Sequence, residues 1–373
     1  MPTTAPSLSR RGFVQILGTG AAAAVLRPSL GAALRLAEAP AASGIVRLSS
    51  NENPYGPSPA AFDAMRQAFD LAWRYPDEAG DALVAELAKL HGVTADSILL
   101  GAGSSQILKI AAAAYTGTGK SLVMADPTFE AIAHYAHAAG AETIKIPLTA
   151  DHRHDLARML PDGAGLVYLC NPNNPTASLT PKNEVRAFLD RTPAETRVLV
   201  DEAYFHYAES GDYESVLPLI KDRPNLIVAR TFSKIYGMAG LRIGYAVAQP
   251  ATVRQLLEQH VWDNVNIMAL VAARASLDDA GHFETSRRLN RETRAFVVSS
   301  LEGMGYRAIP SQTNFLMADL GRDVGPVIDA LKQRGVEVGR RFPAMPSFLR
   351  VTIGTRPQME AFLAALRASR ENL

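Results

Sequence analysis

The chain has 373 residues, 47% of them hydrophobic and 20% charged, a globular composition with material for one large domain or two. Its 38 Lys and Arg against 37 Asp and Glu leave a formal net charge of +1, with no basic stripe or acidic tail; this argues against a nucleic acid or a membrane surface as partner. One cysteine, Cys170, excludes an intramolecular disulfide framework.

The chain opens on "SLSRRGFVQILGTGAAAAVL", in which Arg10 and Arg11 precede Phe13, an apolar run over 16–26 and then small residues. That order is the order of an export signal, and the run falls short of the roughly 20 residues that span a bilayer core. The segment is similar to the bacterial twin-arginine signal S-R-R-x-F, whose pathway carries folded proteins. The expectation is a signal over 1–43, cleaved near 39–43, and a periplasmic protein, or a cytoplasmic one if the arginines have another purpose. No membrane contact is expected beyond that signal.

Next comes "LSSNENPYGPSP" (48–59), turn-rich and read as part of an ordered arm over 44–60. Short apolar runs then alternate with helical patterns. Strands are expected at 97–100, 122–125, 143–146, 166–169, 198–200, 226–229 and 243–247, with helices near 60–72, 81–91, 105–115, 129–139, 182–190 and 251–260. Apolar strands without alternation, separated by helices, imply an α/β fold with a largely parallel sheet. A long helical pattern follows at 281–303, and short strands near 314–317, 336–338 and 349–353 suggest a smaller α+β domain. The expected division is a large domain over 61–270 and a small one over 271–373.

The polar clusters fall just past the ends of these strands, where an open parallel sheet forms its ligand crevice. In "ILLGAGSSQILKI" a strand runs into Gly103, Ser104 and Ser105 and a helix begins at once. Free N–H groups there suit a phosphate, although a turn and cap would need the same residues. In "RVLVDEAYF", Asp201 ends a buried strand, where a carboxylate needs a cation such as a protonated pyridine nitrogen, or else serves as a helix cap. Tyr204 is placed to donate to a phenolate oxygen of the same ring. "NPNNPTAS" makes a rigid turn, with Asn174 as an amide donor or simply a turn residue.

"TFSKIYGMAGLRIGY" adds the hydroxyls of Thr231 and Ser233, the amine of Lys234 and the guanidinium of Arg242. A desolvated lysine beside positive charge becomes a nucleophile toward carbonyls. "FLRVTIGT" sets Arg350 in an apolar strand, as a two-point carboxylate clamp or a strand-end charge. A phosphate cradle, pyridinium and phenolate partners, a nucleophilic lysine and a carboxylate clamp together are the inventory for pyridoxal 5′-phosphate acting on an amino acid. No metal-ligand motif accompanies them.

With "NENPYGPSP", "RYPD", "DPTF", "NPNNPT", "DEAY", "TNF" and "LRVTIGT" in that order, the chain over about 45–370 resembles the class I/II pyridoxal-phosphate aminotransferases of fold type I. The branch it is most similar to is the histidinol-phosphate aminotransferase-like one. The resemblance implies a three-layer α/β/α large domain with a seven-stranded sheet and a homodimer. Lys234 would bond the cofactor and carry the proton, Asp201 would meet the pyridine nitrogen, and Asn174 and Tyr204 the ring oxygen. Phe129 would stack on the ring, while Gly103, Ser104, Ser105, Thr231, Ser233 and Arg242 surround the phosphate. Tyr75 would reach the phosphate of the neighbouring subunit. Arg350 would bind the substrate carboxylate, with Tyr55 and Asn314 also at the substrate.

The implied reaction moves an amino group between an amino acid, or an amino-alcohol phosphate such as histidinol phosphate, and a 2-oxo acid; a decarboxylase or other lyase on the same scaffold is the alternative. Two departures from the family pattern stand out: Ala177 where N-P-T-G has glycine, and "GAGSSQ" where the branch often has Ser-Asp-Glu. Arg340 or Arg341 is a candidate for a distal substrate anion, the alternative being a solvated pair. Export would sit awkwardly with histidine synthesis, which runs in the cytoplasm.

Overall fold

A computed structural model describes residues 44–370; the export-signal reading over 1–43 lies outside them. Seven strands form the main sheet: β2 (Ile98–Gly101), β3 (Ser121–Asp126), β4 (Thr143–Pro147), β5 (Ala164–Cys170), β6 (Arg197–Asp201), β7 (Leu226–Thr231) and β8 (Gly244–Ala248). Their spatial order is β2-β8-β7-β6-β5-β3-β4. All run the same way except β8, which is antiparallel to both β7 and β2. Residues of β5, β7 and β8 are buried along their whole length, the continuous apolar reading of a sheet covered on both faces.

Helices supply the covers. On one face α1 (Pro59–Ala68), α2 (Asp77–His91) and α7 (Ile267–Leu277) pack together, and on the other α3 (Ser104–Tyr115), α4 (Ala131–Ala138) and α6 (Pro250–Leu257) meet, with α5 (Lys182–Arg191) placing Phe188 and Leu189 in the first of these cores. Local chemistry sets several starts: Ser58 accepts from Ala61 N ahead of Pro59, and Asn266 accepts from Ala269 N. The α2 helix ends on Gly92 at φ +63°, the left-handed conformation that glycine enters without cost.

The sequence gives no periodic signal for α7, because the apolar residues of "IMALVAARASL" are spread around the helix, with Arg274 its one charge. The expected helix at 129–139 begins only at Ala131, which leaves Phe129 outside it. The expected strand at 243–247 is displaced by one residue, to 244–248, and reversed in direction.

The C-terminal part holds α8 (Ala280–Gly303), β9 (Arg307–Ala308), β10 (Phe315–Asp319), α9 (Gly325–Gln333), β11 (Val336–Val338), β12 (Phe348–Thr352) and α10 (Arg356–Arg370). A three-stranded antiparallel sheet in the order β12-β10-β9 carries α8, α9 and α10 on a separate core. Strand β1 (Val46–Leu48) of the arm adds to β11 in parallel. That pairing ties the arm to the C-terminal part and starts it across the rim of the main sheet. Helix α8 faces the arm with buried polar residues: Asn53 Nδ2 donates to Ser286 Oγ at 3.4 Å, and His282 Nε2 lies 3.1 Å from Gly56 O.

Candidate active site

Because β2, β3, β5, β6 and β7 point the same way, the residues after them gather at one rim. Gly103–Ser105, Phe129, Asn174, Asp201–Tyr204 and Thr231–Lys234 therefore converge there, and Arg242 reaches the same rim from the start of the reversed strand β8. All of these but Gly103, Glu202 and Phe232 line a cavity of about 300 Å³, to whose wall Ser50, Asn51 and Glu52 of the arm and Arg350 of β12 also contribute.

One end of the cavity is a cradle of hydroxyls and positive charge. Thr231 Oγ1 donates to Ser233 Oγ at 2.9 Å, and Arg242 Nη1 donates to Ser233 Oγ at 3.4 Å and Ala239 O at 2.8 Å. The α3 start carries no side-chain cap, so Ser104 and Ser105 face the cavity at a helix N-terminus, where the dipole favours an anion. Gly103 sits at φ +80°, which favours glycine, and a Cβ there would lie 2.2 Å from Arg242 Nη2 and displace that guanidinium. The GAGSSQ departure keeps these donors; Gln106 turns back to accept from Ala102 N at 2.6 Å.

Deeper in, Asp201 is 3% exposed. Its Oδ1 accepts from Ala203 N at 3.1 Å and its Oδ2 from the Tyr168 hydroxyl at 2.9 Å. Burial pushes the carboxyl up to about 6, against the pull of those two donors and of the Lys234 charge. The element directly after Asp201 is the 3₁₀ turn Phe205–Tyr207, whose N-cap position is Tyr204 and not Asp201, so the helix-cap alternative falls away.

Tyr204 lies edge-on to Phe315, ring centroids 5.1 Å apart, and its hydroxyl accepts from Asn51 Nδ2 at 3.1 Å. The Lys234 ammonium is 5.4 Å from the Tyr204 ring centroid and donates to the main-chain oxygen of Asn51 at 3.1 Å. Burial, seconded by the charge of Arg350, lowers the lysine to about 8, with Glu52 and Asp201 opposing. Arg350 Nη1 donates to Asn174 Oδ1 at 2.8 Å and Nη2 to Ser49 O at 2.7 Å, leaving its buried Nε without a partner.

Gly103 packs beneath Arg242 without lining the cavity. Tyr75 is 79% exposed on the outer surface, and Tyr55 is half-buried among α8 groups with burial raising its phenol. Asn314 is buried behind the arm, donating to the main-chain oxygens of Asn51 and Glu52 at 3.1 and 3.3 Å. Arg340 pairs with Glu130 beside the cavity wall, whereas Arg341 pairs with Asp323 at the surface. Ala177 keeps φ +62°, the conformation a glycine would hold there, and its methyl is fully buried against Tyr204 and Phe315. Strain of about 1–2 kcal/mol is offset only in part by the buried methyl, about 0.8 kcal/mol.

Sequence reasoning did not single out Asn51 or Tyr168. Asn51 stood inside a quoted motif, while Tyr168 read as one more core residue of "LVYLC". Among the described residues, no group of three or more His, Cys, Asp or Glu is placed to hold a metal.

A buried acid with both oxygens held from the protein side, a lysine amine lowered toward neutrality and an anion cradle at a helix start fit pyridoxal phosphate: these are the features of an enzyme that uses this cofactor. The family model "Aminotransferase class I and II" matches residues 43–366, and the chain belongs to that family; it is a pyridoxal-phosphate-dependent aminotransferase. It is 42% identical over 329 residues to a histidinol-phosphate aminotransferase of Moorella thermoacetica, covering 87% of this chain and 85% of that one. A second relative, histidinol-phosphate aminotransferase 2 of Pseudomonas aeruginosa, is 41% identical over 87% and 89%. Among solved structures, the histidinol-phosphate aminotransferase of Sinorhizobium meliloti in complex with pyridoxal-5′-phosphate superposes with a TM-score of 0.83 at 29% identity, covering 88% of this chain and 92% of that one.

Proposed function

We propose that the chain transfers the amino group of an amino-alcohol phosphate of the histidinol phosphate kind, or of a related amino acid, to a 2-oxo acid. The relatives' names support the donor, and the observation that carries the site assignment is the placement of Lys234 between Asp201, Tyr204 and Arg350 around one cavity. Lys234 Nζ would hold the cofactor, Asp201 would face its pyridine nitrogen, and Asn174 and Tyr204 its ring oxygen. Phe129 would cover the ring, and Ser104, Ser105, Thr231, Ser233 and Arg242 would take the phosphate, with Gly103 making room for the Arg242 guanidinium. When bound, pyridoxal phosphate withdraws electrons from the substrate Cα and stores the amino group between the two half-reactions.

The chain's own groups do the rest. A lysine lowered to about 8 is a competent base near neutral pH and moves the proton from Cα on Nζ. Arg350, desolvated and with Nε unpartnered, orients a substrate carboxylate, while Asn314 holds the arm carbonyls in place above it. Tyr55 lies where the arm meets α8.

A homodimer is part of the proposal. Phe69, Leu71, Trp73 and Tyr75 make an exposed apolar run beyond α1, with Val261 and Trp262 also exposed, a surface that a second copy would cover. Tyr75 would then reach the partner's phosphate cradle. Twin-arginine export to the periplasm is proposed on Arg10, Arg11 and Phe13 alone.

A donor screen tests the activity: histidinol phosphate and the common amino acids are offered to the cofactor-loaded chain, and loss of the visible absorbance of the lysine-bound cofactor is followed. Conversion by histidinol phosphate is expected; no conversion by any donor, or release of carbon dioxide, overturns the reading.

A further inference from the structure

We propose that Tyr168 is a positioning residue for this reaction: its hydroxyl holds the Asp201 carboxylate ionised and aimed at the pyridine nitrogen of the cofactor. The inference rests on the reading of Asp201 given above. Tyr168 stands in the middle of β5, fully buried, and its register partner on β6 is Leu199, two residues before Asp201. A buried phenol must find a partner, and an ionised carboxylate only accepts, so the Tyr168 hydroxyl is the donor across 2.9 Å. The Ala203 N–H takes the other oxygen at 3.1 Å. Both donors approach from the protein side, and together they fix the plane of the carboxylate. Phenylalanine would fill the same core volume, so packing does not account for the hydroxyl.

The electrostatics agree with the geometry. The groups facing Asp201 are Tyr168 and Cys170 of β5, Lys234 across the cavity and Glu202 beside it. Burial and the adjacent Asp201 charge hold the Tyr168 phenol well above its usual value, so it stays a donor throughout the working range. Burial raises Asp201, and the Tyr168 hydrogen bond is the foremost influence pulling it back. Without that bond Asp201 takes up a proton at higher pH, and a neutral carboxyl lacks the charge that keeps a pyridine nitrogen protonated.

The test uses the full chain with Tyr168→Phe and pyridoxal phosphate as the probe. Infrared titration of the chain freed of cofactor should show the Asp201 carboxyl, identified by its loss in Asp201→Asn, moving up by about one unit in Tyr168→Phe. Cofactor binding should then be within about twofold of wild type at pH 8.5 and weakened about fivefold at pH 6, since one unit is tenfold in the protonation equilibrium. Should Tyr168→Phe fail to fold, 3-fluorotyrosine at 168, a more acidic donor, should move the titration down instead. An unshifted titration, or equal weakening at both pH values, overturns the proposal while leaving the role of Asp201 standing. Cofactor binding as tight as wild type in Asp201→Asn overturns the Asp201 reading, and the proposal with it, whatever the titration shows.

Discussion

Arg350 Nη1 donates to Asn174 Oδ1 across 2.8 Å, which joins β12 of the C-terminal part to the turn that follows β5. The guanidinium carbon also lies 5.7 and 5.4 Å from the ring centroids of Phe315 and Phe342. Its orientation is therefore set before any substrate arrives.

Replacing Arg350 with alanine should damage the half-reaction of the carboxylated substrate most. Loss of a buried charge-assisted pair costs about 3 kcal/mol, or about 100-fold in kcat/KM for the 2-oxo acid. A donor without a carboxylate should lose much less. Measuring the two half-reactions separately checks this, and equal losses in both would show that Arg350 does not read the carboxylate.

Lys234 should be an unusually reactive amine. Because burial and Arg350 lower it to about 8, Nζ is charged below that pH and free to attack above it. The rate at which the cofactor-free chain takes up pyridoxal phosphate should rise with pH and level off a little above 8. An ordinary lysine, with its value near 10.4, would still be climbing there. A rate that continues to climb to pH 10 contradicts the lowered value.

How much of this was legible beforehand depended on which way a side chain points. Asp201, Asn174, Thr231 and Lys234 end apolar runs, and a parallel sheet sends such residues to one rim whatever their rotamers. Tyr168 lies inside an apolar run, where nothing separates a packing tyrosine from one that donates to a carboxylate. Asn51 acts through its side chain on Tyr204 and its carbonyl on Lys234, over sequence separations that no local pattern encodes. The reversal of β8 was hidden for a similar reason. A buried strand reads the same in either direction, and only the short turn Ala239–Leu241 before it reveals a tight return. Helix α7 was lost because apolar residues spread around the helix erase the period that identifies helices.

Trp73→Glu should split the proposed dimer. Trp73 and Tyr75 are 74% and 79% exposed, and a charge buried at an interface core without a partner is costly. Sedimentation of the wild-type chain should give twice the chain mass and the variant the single mass, with cofactor binding weakened as Tyr75 is withdrawn. A wild-type chain that sediments as a monomer ends the dimer proposal.

Exchange of Arg10 and Arg11 for lysine should hold the precursor in the cytoplasm of the producing cell. Fractionation and the size of the accumulated chain read the result. Normal export of the double variant would remove the twin-arginine reading without touching the enzyme.

Stability should depend heavily on the ion pair beneath the site. Arg230 Nη2 meets Glu202 Oε2 at 2.8 Å with the side chains 7% and 1% exposed, and Arg230 also lies 3.7 Å from the Phe205 ring centroid. Glu202 in turn accepts from Ser215 Oγ at 2.8 Å and Val216 N at 2.9 Å, so it fastens the segment after Asp201 to β7. Glu202→Gln leaves a buried guanidinium uncompensated, and about 3–5 kcal/mol should be lost in urea unfolding. Adding Arg230→Met removes the orphaned charge at similar length, so the double variant should be more stable than Glu202→Gln alone. If the losses of Glu202→Gln and of Arg230→Met, each measured alone, simply add in the double variant, the pair is not coupled. Because Glu202 adjoins Asp201, the single variant should also bind cofactor less tightly, whereas the double should recover part of that affinity along with its stability.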